Sequence, residues 1–268
     1  MGLIKRLEEA RKAYKKGDIK ASAAAHESAA ITKAAAEEHG GASDQYIGSM
    51  VYGGLDGIIT TFAVVTGVAG ANLGANVVLI LGLANLFADG VSMGVGAYLS
   101  KKSEKEYYDI ERQREAWEIE HFPKGERLEL IDIYTRQGYS KEEANQLVDI
   151  ISRDRERWVD TMMVDELGLL ADDKKTILSA LATLASFIIA GVLPLVVYLV
   201  GLFTPIDLDT SFIVSLILSG LALFGLGAAK VKVTGLKPLR SGLEMLIVGG
   251  LAASVAYLVG VLLKGISA

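Results

Sequence analysis

The chain has 268 residues, 27 Lys/Arg against 32 Asp/Glu, a formal net charge of −5 and no cysteine. The acidic balance argues against a nucleic-acid partner, which needs a basic surface, and without cysteine there is no disulfide or thiolate metal site. With 51% hydrophobic residues, only 7% aromatics, 29 glycines and a mean hydropathy of +0.37, the composition is that of closely packed helices in lipid rather than of a soluble enzyme.

No alternating β-branched run bounded by turn pairs occurs, so the fold class is all-α. Residues 1–48 are an N-terminal segment whose Ala-, Lys- and Glu-rich first part (1–44) predicts one or two surface helices. Apolar segments follow at 49–71 and 76–99, joined by the short turn ANLGAN, then at about 177–202, 211–229 and 243–263. Each is near the roughly 20 residues that cross about 30 Å of hydrocarbon. Five transmembrane helices are therefore expected, the first two within 49–100 and the last three within 177–268, with a kink at Pro194 in the third. No early apolar signal sequence is read.

Lys and Arg set the orientation. With the N-terminus in the cytoplasm, 1–48, 101–176 and 230–242 hold 8, 14 and 4 of them, and only Lys264 falls outside with the C-terminus. A prokaryotic plasma membrane is the simplest location, with an organelle membrane as the alternative. The insert 101–176 carries 20 Asp/Glu against 14 Lys/Arg and reads as a cytoplasmic acidic domain of three helices. The first continues out of the second span to about 121, where Pro123-Lys124-Gly125 ends it. The second runs from about 124 to Gly138. Ser140, with Glu143 as capping-box partner, opens a third element that continues towards Leu170, with a candidate break near Arg153.

Ionisable residues inside spans are functional candidates. Asp56 lies in the first span and Asp89 in the second. Asn85, Asp89 and Met93 are spaced i, i+4, i+8, so they share one stripe over about 12 Å. Carboxylate, amide and thioether together suit a dehydrated transition-metal ion. The alternative is that both acids merely bond neighbouring helices. In the insert, Glu111, Glu115 and Glu118 share one helix face, Glu126 and Glu129 another, and Met162-Met163-x-x-Glu166 puts two thioethers one turn from a carboxylate. Like charges at i, i+4 repel, so the stripe invites a counter-cation. A solvated acidic face, with the methionines packed on Trp158, is the plainer reading. Glu118-x-x-His121 matches half of a di-iron carboxylate site, which needs two such elements. His26-Glu27 and Glu37-Glu38-His39 read as surface residues. The pairs Gly53/Gly57 and Gly90/Gly94 fit a helix–helix seam such as a dimer's.

The ordered motifs DGIITTFAVVTGVAGA, SMGVGAYLSKKSE, REAWEIEHFP and WVDTMMVDELGL resemble the vacuolar iron transporter family from about Ser49 to the C-terminus, with residues 1–44 outside the resemblance. The resemblance implies a five-span homodimer exchanging a divalent metal, chiefly Fe²⁺, for protons along a path at the dimer interface. It implies that Asp56 and Met93 line the path. It implies that Glu115, Glu118, Glu126, Glu129, Glu166, Met162 and Met163 form a cytoplasmic metal-binding set; Glu111 and His121, from the spacing alone, are weaker candidates. One departure stands out: where well-studied members carry a second-span glutamate this chain has Asn85, and an acid, Asp89, appears one turn later. Export of Fe²⁺ from the cytoplasm against protons is the expected function, with no organic cofactor. A Mn²⁺ or general divalent exporter and a membrane-anchored sensor or scaffold are the alternatives.

Overall fold

The structure, a computed structural model, describes residues 9–10, 12–27, 42–172, 175–234 and 237–266, and no strand occurs among them. The helices are α1 (Ile19–Ala25), α2 (Ala42–Gly70), α3 (Ala75–His121), α4 (Pro123–Arg136), α5 (Lys141–Ile151), α6 (Arg155–Asp165), α7 (Thr176–Gly191), α8 (Val196–Val200), α9 (Leu208–Thr234) and α10 (Pro238–Leu263). Short 3₁₀ turns occupy Leu193–Leu195 and Lys264–Ile266. Two compact units result, Met1–Gly94 with Leu181–Ala268, and Val95–Ala180.

In the first unit the N-terminal segment holds helix at residues 12–16 and in α1, whose first free amide is capped when Ala21 N donates to Asp18 Oδ1 at 3.0 Å. Five helical stretches are long and apolar enough to span a membrane: Tyr46–Gly70, α3, Thr176–Val200, Leu208–Val231 and α10. At 1.5 Å per residue, about 25 residues exceed the hydrocarbon thickness. Ile80, Phe87, Ile217, Leu221, Leu251 and Leu258 stay more than half exposed, as side chains facing lipid do. Inside the bundle the backbones nearly touch. A Cβ added at Gly57 would lie 2.3 Å from the Phe187 carbonyl oxygen, at Gly227 2.4 Å from that of Ser241, and at Gly260 2.1 Å from that of Gly67. Gly53, Gly57 and Gly90 thus pack against Thr183 and Phe187 of the same chain, so these glycines serve the internal packing of the third span instead of a dimer seam.

The kink expected at Pro194 is present: α7 stops at Gly191, a 3₁₀ turn carries Pro194, and α8 resumes at Val196. Proline cannot donate to the helix ladder. The Pro194 carbonyl oxygen receives the Ser215 hydroxyl at 2.6 Å, a buried bond that ties the kink to α9. The tight turn between α2 and α3 puts Asn72 at φ +60°, a conformation asparagine tolerates better than most residues.

The second unit closes on an apolar core of Ile119, Leu130, Ile133, Ala144, Val148, Trp158, Val159, Met162 and Met163. Pro123 stands at the first turn of α4, where its missing N–H costs nothing. Ser140 caps α5 as expected, with Ser140 N donating to Glu143 Oε2 at 2.8 Å and Glu143 N to Ser140 Oγ at 3.3 Å. The third expected helix of the insert is two. α5 ends at Ile151, and Asp154 starts α6 by accepting from Arg157 N at 2.8 Å. The local cap at Asp154 overrides the helical composition that runs through the break. Charged struts brace these helices: Arg112 reaches Glu156 at 2.8 Å and also Asp160, and Arg127 reaches Asp149 and Ser152.

Candidate metal centre

Three elements of the second unit each deliver one carboxylate to the same place: Glu115 from α3, Glu126 from the first turn of α4, and Glu166 from the C-terminal cap of α6. One oxygen from each lies within 4.8 Å of the other two. Glu115 is fully buried and Glu126 nearly so, while Glu166 is exposed at the rim. Neither oxygen of Glu115, nor Oε2 of Glu126, has a hydrogen-bond partner. Among the described residues Glu115 pairs with Arg114, whose Nη2 lies 2.7 Å from Oε1, out of line for a hydrogen bond.

Burial pushes the Glu115 carboxyl up to about 7; Glu166, Glu118 and Glu129 push the same way and Arg114 opposes them. Burial also lifts Glu126 to about 7, reinforced by Glu129, Glu115, Glu118 and Glu166. Glu166 is raised as well, by its partial cover and by Glu129 and Glu118. Glu118 and Glu129 therefore belong to the same electrostatic cluster. Buried carboxylate oxygens with no donors are unfavourable, and the arrangement is relieved either by protons or by a cation. The oxygen-only donor set fits a divalent ion.

The other predicted residues are placed differently. Met162 and Met163 are fully buried in the apolar core beside Trp158, the packing role weighed against ligation. Glu111 and Glu118 sit on the same face of α3, both held by Arg114. Arg114, a residue of the stripe's own helix, sets one positive charge against it, legible only if Arg114 is paired with its neighbours at i−3 and i+4. His121 is exposed, stacked on Trp117 with ring centroids 4.3 Å apart, and its Nδ1 lies 2.8 Å from the Trp117 carbonyl oxygen. It is no part of the three-carboxylate group. His26 and Glu27 are exposed, with His26 Nδ1 2.7 Å from the Ser22 carbonyl oxygen. Glu37, Glu38 and His39 lie outside the described residues.

In the first unit Asp56, Asn85, Asp89 and Met93 are all half-buried. Asp89 is close enough to Asp56 to act on it electrostatically, and Asn85 Nδ2 has no hydrogen-bond partner. Thr60 Oγ1 donates to the Asp56 carbonyl oxygen at 2.9 Å. Thr61, fully buried, keeps an unpartnered hydroxyl.

Residues 47–261 match the VIT family. The chain belongs to it. A Toxoplasma gondii protein named vacuolar iron transporter is 40% identical over 267 residues, covering 96% of this chain and 88% of its own length. A Plasmodium falciparum protein of the same name is 37% identical over 262 residues, covering 96% of both chains. The vacuolar iron transporter 1 of Arabidopsis thaliana is 34% identical over 214 residues, covering 80% of this chain and 84% of its own. The similarity to the first two reaches into residues 1–44, which the motifs alone left outside the VIT resemblance, since 96% of the chain is aligned. These VIT relatives are eukaryotic proteins named for the vacuole and lend no support to a prokaryotic plasma membrane. None is named as an enzyme.

Proposed function

We propose that this protein moves a divalent metal, Fe²⁺ foremost, out of the cytoplasm in exchange for protons, as a homodimer. Its family membership makes it a metal transporter and not an enzyme. The observation that carries the reading is the convergence of Glu115, Glu126 and Glu166 within 4.8 Å, with buried oxygens that no hydrogen bond satisfies. Such a site captures a cation from the cytoplasm, and Glu118 and Glu129 add to its field.

Within the membrane, Asp56, Asn85, Asp89 and Met93 replace part of the ion's hydration shell. Asp89, one turn beyond Asn85, supplies the carboxylate that the resemblance places at position 85. Carboxylates in a low-dielectric path are readily neutralised, so protons take the place of the departing metal. The part of these acids left uncovered in one chain would cost several kcal/mol if its face met hydrocarbon. A second copy covering this face removes that cost, which supports a dimer with the path at its seam. The oxygen-rich donor set also favours a second reading, a Mn²⁺ or general divalent exporter.

The test is Fe²⁺ uptake into proteoliposomes with a pH-sensitive dye, with Mn²⁺ as competitor. Wild type should move metal against protons, and Asp56→Ala should lose both fluxes. Glu115→Gln with Glu126→Gln should raise the half-saturating Fe²⁺ concentration more than it lowers the maximal rate. Normal flux through Asp56→Ala would sink the path assignment. Metal binding with no flux under any proton gradient would support a sensor instead.

A further inference from the structure

The geometry points to Arg114 as a built-in competitor for the acidic site, a guanidinium that clamps Glu115 together with Glu111 and Glu118 and is displaced from Glu115 when a cation binds. The inference rests on the reading of Glu115, Glu126 and Glu166 as a cation site. All three nitrogens of the Arg114 guanidinium are engaged, each by a different carboxylate. Nε lies 2.9 Å from Glu111 Oε2, Nη2 lies 2.7 Å from Glu115 Oε1, and Nη1 reaches Glu118. Glu115 belongs at once to this clamp and to the three-carboxylate group.

The guanidinium has open space beside it where Glu115 has none. Glu115 is fully buried on a long helix, whereas the Arg114 side chain is 41% exposed and has solvent to move into. Arginine keeps its charge at any accessible pH, so it leaves the site by rotating, not by losing a proton. The neighbouring arginines cannot take its place without breaking their own struts, since Arg112 is tied to Glu156 and Asp160 and Arg127 to Asp149 and Ser152. Metal loading is then a displacement. The clamped population lowers the apparent affinity, and it offsets the mutual repulsion of Glu111, Glu115 and Glu118 along their shared helix. It also sets a threshold that favours divalent ions: a monovalent ion only matches the charge it must displace.

The experiment titrates Mn²⁺, a redox-stable probe, into the purified full-length protein in detergent, by calorimetry, and records the thermal midpoint with and without Mn²⁺. Arg114→Gln should bind Mn²⁺ roughly tenfold more tightly than wild type, on the order of the close ion pair that Glu115 no longer has to give up. Its metal-free midpoint should fall, and Mn²⁺ should raise that midpoint by more than in wild type. Arg114→Lys keeps the charge but loses the fork that spans three carboxylates, so it should fall between the two. Equal or weaker Mn²⁺ binding by a folded Arg114→Gln overturns the clamp while leaving the site reading intact. Mn²⁺ binding that is absent in wild type, or unaltered by Glu115→Gln, overturns both.

Discussion

Glu115 and Glu126 hold their protons to about pH 7, against 4.5 for an ordinary glutamate. The folded, metal-free chain therefore binds more protons than the unfolded chain between those values, and its stability falls as pH rises through that window. In scanning fluorimetry of the metal-free protein, the midpoint should be higher near pH 5.5 than near pH 8. Glu115→Gln should flatten this dependence and raise the midpoint at the alkaline end. A carboxylate that must shed a proton before it binds metal also gives weaker loading below pH 7. Residue spacing made the carboxylates legible in the sequence: the i, i+4, i+7 row on α3, the i, i+3 pair on α4, and Glu166 one turn beyond the methionine pair. What Met162 and Met163 do was less legible, because being near Glu166 in sequence says nothing about whether a side chain turns into the apolar core, as both do. Arg114 stayed hidden for a different reason. Reading one face for like charges passes over the opposite charge beside it, which folds across three of them.

At the scale of elements, apolar length and punctuation were reliable guides. The five spans appear where hydropathy put them, and the second continues unbroken into the charged region as α3, 47 residues and about 70 Å long. Pro194, Gly138 and Ser140 act where their chemistry says they should. The break between α5 and α6 was only faintly visible, because Ser152-Arg153-Asp154 is helix-compatible until the Asp154 carboxylate turns back to cap Arg157. The capping box at α5 satisfies two backbone donors with two side chains. Ser140→Ala should lower the unfolding free energy by about 1 kcal/mol, read as a lower denaturant midpoint with an unchanged denaturant slope. A change well under half of that would mean that the start of α5 is held by its core residues Ala144 and Val148 alone.

For the molecule as a whole, hydropathy made the five spans legible and the Lys/Arg distribution predicts an orientation for them, but neither says which faces meet. Those are set by backbone approaches that hydropathy does not encode. Since the chain has no cysteine, single cysteines introduced in turn at Lys124 and Lys264 would be its only thiols. In sealed, uniformly oriented vesicles, a membrane-impermeant maleimide should label one of the two from outside and the other only after lysis. Labelling of both from the same side would reverse the five-span reading. The glycines add a constraint of another kind. Where a methyl group would land on a backbone oxygen, as at positions 57, 227 and 260, the alphabet of twenty shrinks to a single letter. At 225 and 250, where nothing stands within 4 Å, the same letter is one spelling among many. In a chain so rich in glycine, the residue marks both its most and its least negotiable positions, and only the distance to the next helix tells them apart.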